Sequence, residues 1–82
     1  MHFAYEIIDI TSPSSAISTV TVGIRAEQRI NGFSGTVLTF DVQNKKLEQE
    51  VKARVEWKIK QETGLDSDKY ELRQIEPKKK AS

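Results

Sequence analysis

The sequence predicts an α+β domain of two layers: a three-stranded antiparallel meander, one amphipathic helix packed on one sheet face, then a fourth strand, in the order β-β-β-α-β. Residues 2–10, 17–30 and 34–42 are rich in Ile, Val, Thr, Phe and Tyr and are separated by turn residues. Over residues 44–63 the apolar period changes from two residues to nearly four, as on one side of a helix. Beyond Gly64, residues 69–76 return to strand composition and end at Pro77.

The second strand has the clearest pattern. Val20, Val22, Ile24 and Ala26 alternate with Thr19, Thr21, Gly23 and Arg25, giving one apolar face and one wet face. Its link to the third strand contains Asn31-Gly32, a hairpin signal. A two-residue loop there sets Val22 opposite Asp41, and the apolar faces disagree. A three-residue loop, residues 31–33, sets Ala26 opposite Leu38, Ile24 opposite Phe40 and Val22 opposite Val42, and the faces agree. A bulged or longer loop is therefore expected, with Gly35 in the bulge. The same count across residues 11–16 sets Phe3 opposite Ile24, Tyr5 opposite Val22 and Ile7 opposite Val20 on the buried face. It leaves Ile8, Ile10 and Ile17 together on the other face. Two accounts fit this patch: a bulge or sheet-end cap that removes some of it from water, or a contact surface.

In the helix, Leu47, Val51, Val55 and Ile59 form the buried stripe. Asn44 is the expected N-cap, and Gly64 followed by Leu65 reads as a left-handed C-cap with its hydrophobic contact. Glu48/Lys52, Glu50/Arg54 and Glu56/Lys60 are supporting pairs one turn apart. Lys45 and Lys46 sit at the positive end of the helix dipole, unfavourable by up to roughly 1 kcal/mol unless Asp41 or a partner offsets them. Trp57 falls on the side away from the stripe, one turn after Ala53. Either it lies across the helix flank onto a loop or the last strand, or it anchors an interface that Ala53 lets another backbone approach. Asp66-Ser67-Asp68 is a polar turn, and in the fourth strand Tyr70 and Leu72 face one way and Ile75 the other. That strand pairs beside the first or the third, through a right-handed crossover.

Composition bounds the function. Of 82 residues 30% are charged, 37% are hydrophobic and 21 are Ile, Leu, Val or Phe, enough for one core but not two. Residues 1–76 are read as one domain and 77–82, with Lys78, Lys79 and Lys80, as a basic solvated tail. Without cysteine there is no disulfide frame or thiolate zinc site, and a cytoplasmic setting is expected. No segment reads as a signal peptide or membrane span. His2 is the sole histidine, and Asp66 and Asp68 lack the glycine and distal glutamate of a calcium loop. The serines lack a nucleophile-elbow context, and Gly32-Phe33-Ser34-Gly35 joins strands rather than the helices of an RNA-clamping loop. Hence no catalytic, cofactor or metal site is expected, and no family resemblance is read.

What remains is a non-enzymatic protein-protein interaction or assembly module, a homo-oligomer or an accessory subunit. Its size and lack of motifs are those of small phage-type inhibitors and structural proteins. The candidate contacts are Ile8, Ile10 and Ile17, or Ala53 with Trp57, or strand addition at a sheet edge. The alternative is a nucleic-acid-binding accessory protein using Arg25, Arg29, Lys45, Lys46, Lys78, Lys79 and Lys80. A net charge of +1 restricts that reading to weak, salt-sensitive binding.

Overall fold

The computed structural model describes residues 1–29 and 33–75. Its elements are β1 (His2–Thr11), β2 (Ile17–Ala26), β3 (Thr36–Gln43), a 3-10 turn (Asn44–Lys46), α1 (Leu47–Thr63), a second 3-10 turn (Ser67–Lys69) and β4 (Glu71–Ile75). They form the two-layer α+β arrangement that the sequence predicts. The sheet order is β3-β2-β1-β4, with β1, β2 and β3 an antiparallel meander and β4 parallel beside β1. The fourth strand therefore neighbours the first. A parallel return needs a crossover of a dozen or more residues, which α1 and its flanking turns supply. The expected tail, 77–82, and Asn31-Gly32 lie outside the described residues.

Phe3, Tyr5, Val20, Val22, Ile24 and Val42 of the sheet meet Val51, Val55 and Ile59 of α1 in one buried cluster, with Leu47 and Leu65 packed at its margin. Each buried apolar side chain of this size stabilises by roughly 1.5–3 kcal/mol, so the stripe alone fixes which side of the helix is inward. Three aromatic rings close one end of the core. Phe3 stands edge-on to Phe33, with centroids 5.6 Å apart, and edge-on to Tyr70 at 5.0 Å. Leu72 sits opposite Phe3 and Ile75 opposite Glu6, so Leu72 and Ile75 face opposite ways as read from the sequence.

Both predicted registers are corrected. Across β2 and β3 the pairs are Val22 with Leu38, Val20 with Phe40 and Ser18 with Val42, a slip of four residues. Across β1 and β2 they are Phe3 with Ala26, Tyr5 with Ile24 and Ile7 with Val22, a slip of two. Even slips keep every side chain on its face, so apart from the last residues of β1, which a bulge shifts by one more, the alternation of two residues cannot distinguish these registers. Two residues outside the pattern select the observed one. Phe33 is only 8% exposed because it is used by the core against Phe3 rather than left in a loop. Gly35 adopts φ 116°, a conformation that L side chains rarely enter, and ends the connection next to Thr36. The connection thus runs over residues 27–35, and β2 ends at Ala26 instead of continuing to position 30.

The expected N-cap is also corrected. The helix begins at Leu47, and no side chain caps its start. Asn44 instead ties the connection between β1 and β2 to the 3-10 turn. Its amide donates to the Ser15 carbonyl at 2.8 Å, its backbone N–H donates to the Ala16 carbonyl at 2.9 Å, and its side-chain oxygen accepts from the buried Ser18 hydroxyl. Glu50 reaches back to accept from the Gln43 N–H at 3.1 Å. Lys45 and Lys46 precede the first helical turn, which carries Glu48 and Glu50 and so matches the dipole. At the other end Gly64 has φ 78°, and its N–H donates to the Lys60 carbonyl, the C-cap the sequence predicts.

Candidate functional site

The outer side of α1 carries Trp57, 52% exposed, with Ala53 exposed one turn before it. The helix register dictates this placement, since the buried stripe occupies the opposite side. Trp57 keeps about half of its surface in water and has the rest against its own flank. Its flank contact is Arg54, whose guanidinium lies 5.0 Å from the Phe40 ring centroid and 6.0 Å from that of Trp57. Arg54 thereby braces the indole from the β3 side, a cation–π arrangement. The sequence signal for it is the spacing of three residues between Arg54 and Trp57 on adjacent flanks. Glu50, Ala53, Arg54 and Trp57 line an open groove of about 550 Å³. A second groove, on the other side of Trp57, runs past Lys60 to Leu65 and Asp66. There the Lys60 ammonium donates to the Asp66 carboxylate, and this bond holds the lysine pKa above and the aspartate pKa below their ordinary values.

The patch read from the sequence is divided as the first of its two accounts has it, with Ile8 and Ile10 bordering one recess and Ile17 outside it. A bulge lies between Ile7 and Asp9. Before it, Ile7 pairs with Val22; after it, Ile10 pairs with Val20, so Ile10 points to the helix side. Ile8 stays on the open face over Gly23, with its Cδ1 3.1 Å from the place a Cβ would occupy there. Ile17 is half-buried opposite Gln43 at the far end of β2. The bulge moves Ile10 to the core side without covering it: Ile8 is 55% and Ile10 47% exposed. β4 pairs only with His2 to Glu6, and Ile7, Ile8, Asp9, Ile10 and Gln74 border a shallow apolar recess beyond its end.

The basic residues of the nucleic-acid alternative do not converge. Arg25 pairs with Ala4 near one end of β2, whereas Lys45 and Lys46 follow Asn44, which is bonded to Ala16 at the other end. Arg29 is exposed in the connection after β2, and Lys78, Lys79 and Lys80 lie outside the described residues. Of the polar residues weighed for chemistry, Ser12 bonds Ser18 at 3.0 Å, and Ser14 accepts from the N–H groups of Ala16 and Ile17 at 3.2 and 3.1 Å. These serines build the turn between β1 and β2. His2 Nδ1 lies 3.9 Å from the Glu71 carboxylate, and no group of three metal-ligating side chains occurs among the described residues. No helix among them is long and apolar enough to cross a membrane. Comparison with family models, with curated proteins and with solved structures gives no match.

Proposed function

We propose that this chain is a non-enzymatic protein-interaction or assembly module whose contact surface is the outer face of α1. Trp57 carries this reading: it stands half in water on the outward side of a helix whose inward side is already filled by Val51, Val55 and Ile59. Tryptophan combines a large apolar area with few rotatable bonds, and it is enriched among the residues that dominate binding energy. Ala53 keeps the adjoining turn low, and Arg54 restrains the ring, so the surface is formed in advance of contact. The grooves beside the indole are open, which suits a protein surface more than an enclosed small molecule. A small accessory subunit or an inhibitor of the phage type works through such a face, and a chain without cysteine suits the reducing cytoplasm. The protein-contact reading is favoured over nucleic acid because Arg25 and Lys45 are held at opposite ends of β2.

The test separates binding from folding. At low protein concentration, Trp57→Ala is expected to cost about 1 kcal/mol, the loss of its Arg54 contact and partial cover, while Ile59→Ala costs about 3 kcal/mol. Sedimentation then compares Trp57→Ala with Ile8→Ser. Association lost with Trp57→Ala and kept with Ile8→Ser supports the reading. A loss of several kcal/mol in Trp57→Ala assigns the indole to the fold and removes the observation. Association lost only with Ile8→Ser moves the contact to β1.

A further inference from the structure

Along the outward side of α1, positions 50, 53, 57 and 60 carry Glu50, Ala53, Trp57 and Lys60, between the cap positions Lys46 and Gly64. Spacings of four and three follow one face of a helix, and here the two central positions, Ala53 and Trp57, are apolar between the charged Glu50 and Lys60. Glu50, Ala53, Trp57 and Lys60 all fall within about 40° of the direction opposite the centre of the Val51, Val55, Ile59 stripe. The series is also its own mirror about position 55. An antiparallel copy related by a two-fold axis at that position sets Trp57 against Ala53 and Glu50 against Lys60, each pair formed twice.

Each of these pairings is complementary. The largest side chain of the chain meets one of the smallest, so that each indole enters the groove beside the other helix's Ala53. Glu50 meets a cation at both ends of the seam. A parallel copy would instead set Trp57 against Trp57 and Glu50 against Glu50, a steric and electrostatic conflict. Arg54, turned back onto Phe40, forms one wall of the groove beside Ala53. Glu50 uses one carboxylate oxygen for the Gln43 N–H and keeps the other, and Lys60 has two donors beyond the one given to Asp66.

We infer that the outer face of α1 binds a second copy of this chain as an antiparallel helix pair with two-fold symmetry. The inference rests on the proposed interaction reading and names its partner. A seam of about three helical turns lies at the small end of interface sizes, so the dimer is expected to exchange with monomer as concentration falls.

Absolute mass by light scattering, measured on the full chain across a wide concentration range, tests it, with urea unfolding alongside each variant. Wild type is expected to move from monomer to dimer. Trp57→Ala is expected to weaken dimerisation thirtyfold or more, as for a central anchor. Ala53→Trp alone sets indole against indole and also weakens it, whereas Ala53→Trp with Trp57→Ala exchanges the two positions and restores the dimer. Glu50→Lys and Lys60→Glu each weaken it, and the double exchange restores it. A strict monomer at every concentration overturns the second copy as partner, while the stability comparison of Trp57→Ala and Ile59→Ala still decides the wider reading. A dimer indifferent to Trp57→Ala overturns the face. Single variants that weaken the dimer without rescue by either exchange overturn the antiparallel pairing.

Discussion

Phe33→Ala separates a connection docked on the core from a hairpin loop in water. Phe33 is 8% exposed and stands edge-on to Phe3, which has no exposed surface at all. Burying a phenylalanine stabilises by roughly 1.5–3 kcal/mol, and an edge-to-face pair adds about 0.5–1.5 kcal/mol. Removal from a core typically costs about 3–5 kcal/mol, and a site in a connection relaxes more than one in a strand, so about 3 kcal/mol is expected. A domain of this size holds on the order of 4–12 kcal/mol in total, so the variant still folds. With a urea slope near 1 kcal/mol per molar, the midpoint falls by about 2–3 M. The assay is urea unfolding by circular dichroism, with a double-mutant cycle between Phe3→Leu and Phe33→Leu expected to return a coupling of about 0.5–1.5 kcal/mol. A loss below about 0.5 kcal/mol with no coupling refutes the docking of residue 33 and restores the shorter loop and its register.

Three further outcomes follow from individual groups. A side chain at Gly35 would require φ 116° and set its Cβ 3.3 Å from the Ile24 carbonyl, so Gly35→Ala is expected to lose roughly 1–3 kcal/mol in the same unfolding assay. The Tyr70 hydroxyl is buried without a hydrogen-bond partner among the described residues, and Tyr70→Phe is expected to be neutral or to stabilise by up to about 1 kcal/mol. Glu27 accepts a two-pronged bond from Arg73, which holds its pKa below the ordinary value of 4.5. Its stabilising contribution is therefore present above the unfolded value and disappears as pH falls through the lowered one. Urea midpoints measured downward from pH 4.5 are expected to fall more steeply for wild type than for Glu27→Gln.

The elements were legible in the sequence because each has its own period. The stripe from Leu47 to Ile59, the Gly64 cap and the alternation from Thr19 to Ala26 predicted the helix, its end and the second strand. Register was not legible, because the slips before the β1 bulge and across β2 and β3 are even and period two is blind to them. Phe33 mattered most and was hidden, since one aromatic residue beside a strong turn signal carries no periodicity. The bulge was one of two accounts of the isoleucines, but that Ile10 would reach the helix side and stay exposed depended on where β4 stops. Asn44 had the composition of a cap, and only the proximity of Ser15 and Ser18 in three dimensions gave it other partners. The outward placement of Trp57 followed from helix geometry alone, and the structure adds that about half of its surface stays in water.

The central claim is that the Trp57 face of α1 is occupied by another copy of this chain. Trp57 is the sole tryptophan, so its emission reports that face and nothing else. The most direct measurement follows the emission maximum together with absolute mass as concentration rises from the nanomolar to the high micromolar range. The account predicts a shift to shorter wavelength, as the indole leaves water, in step with a doubling of mass. Constant mass with an unmoved maximum, or a doubling of mass during which the maximum stays in place, contradicts it.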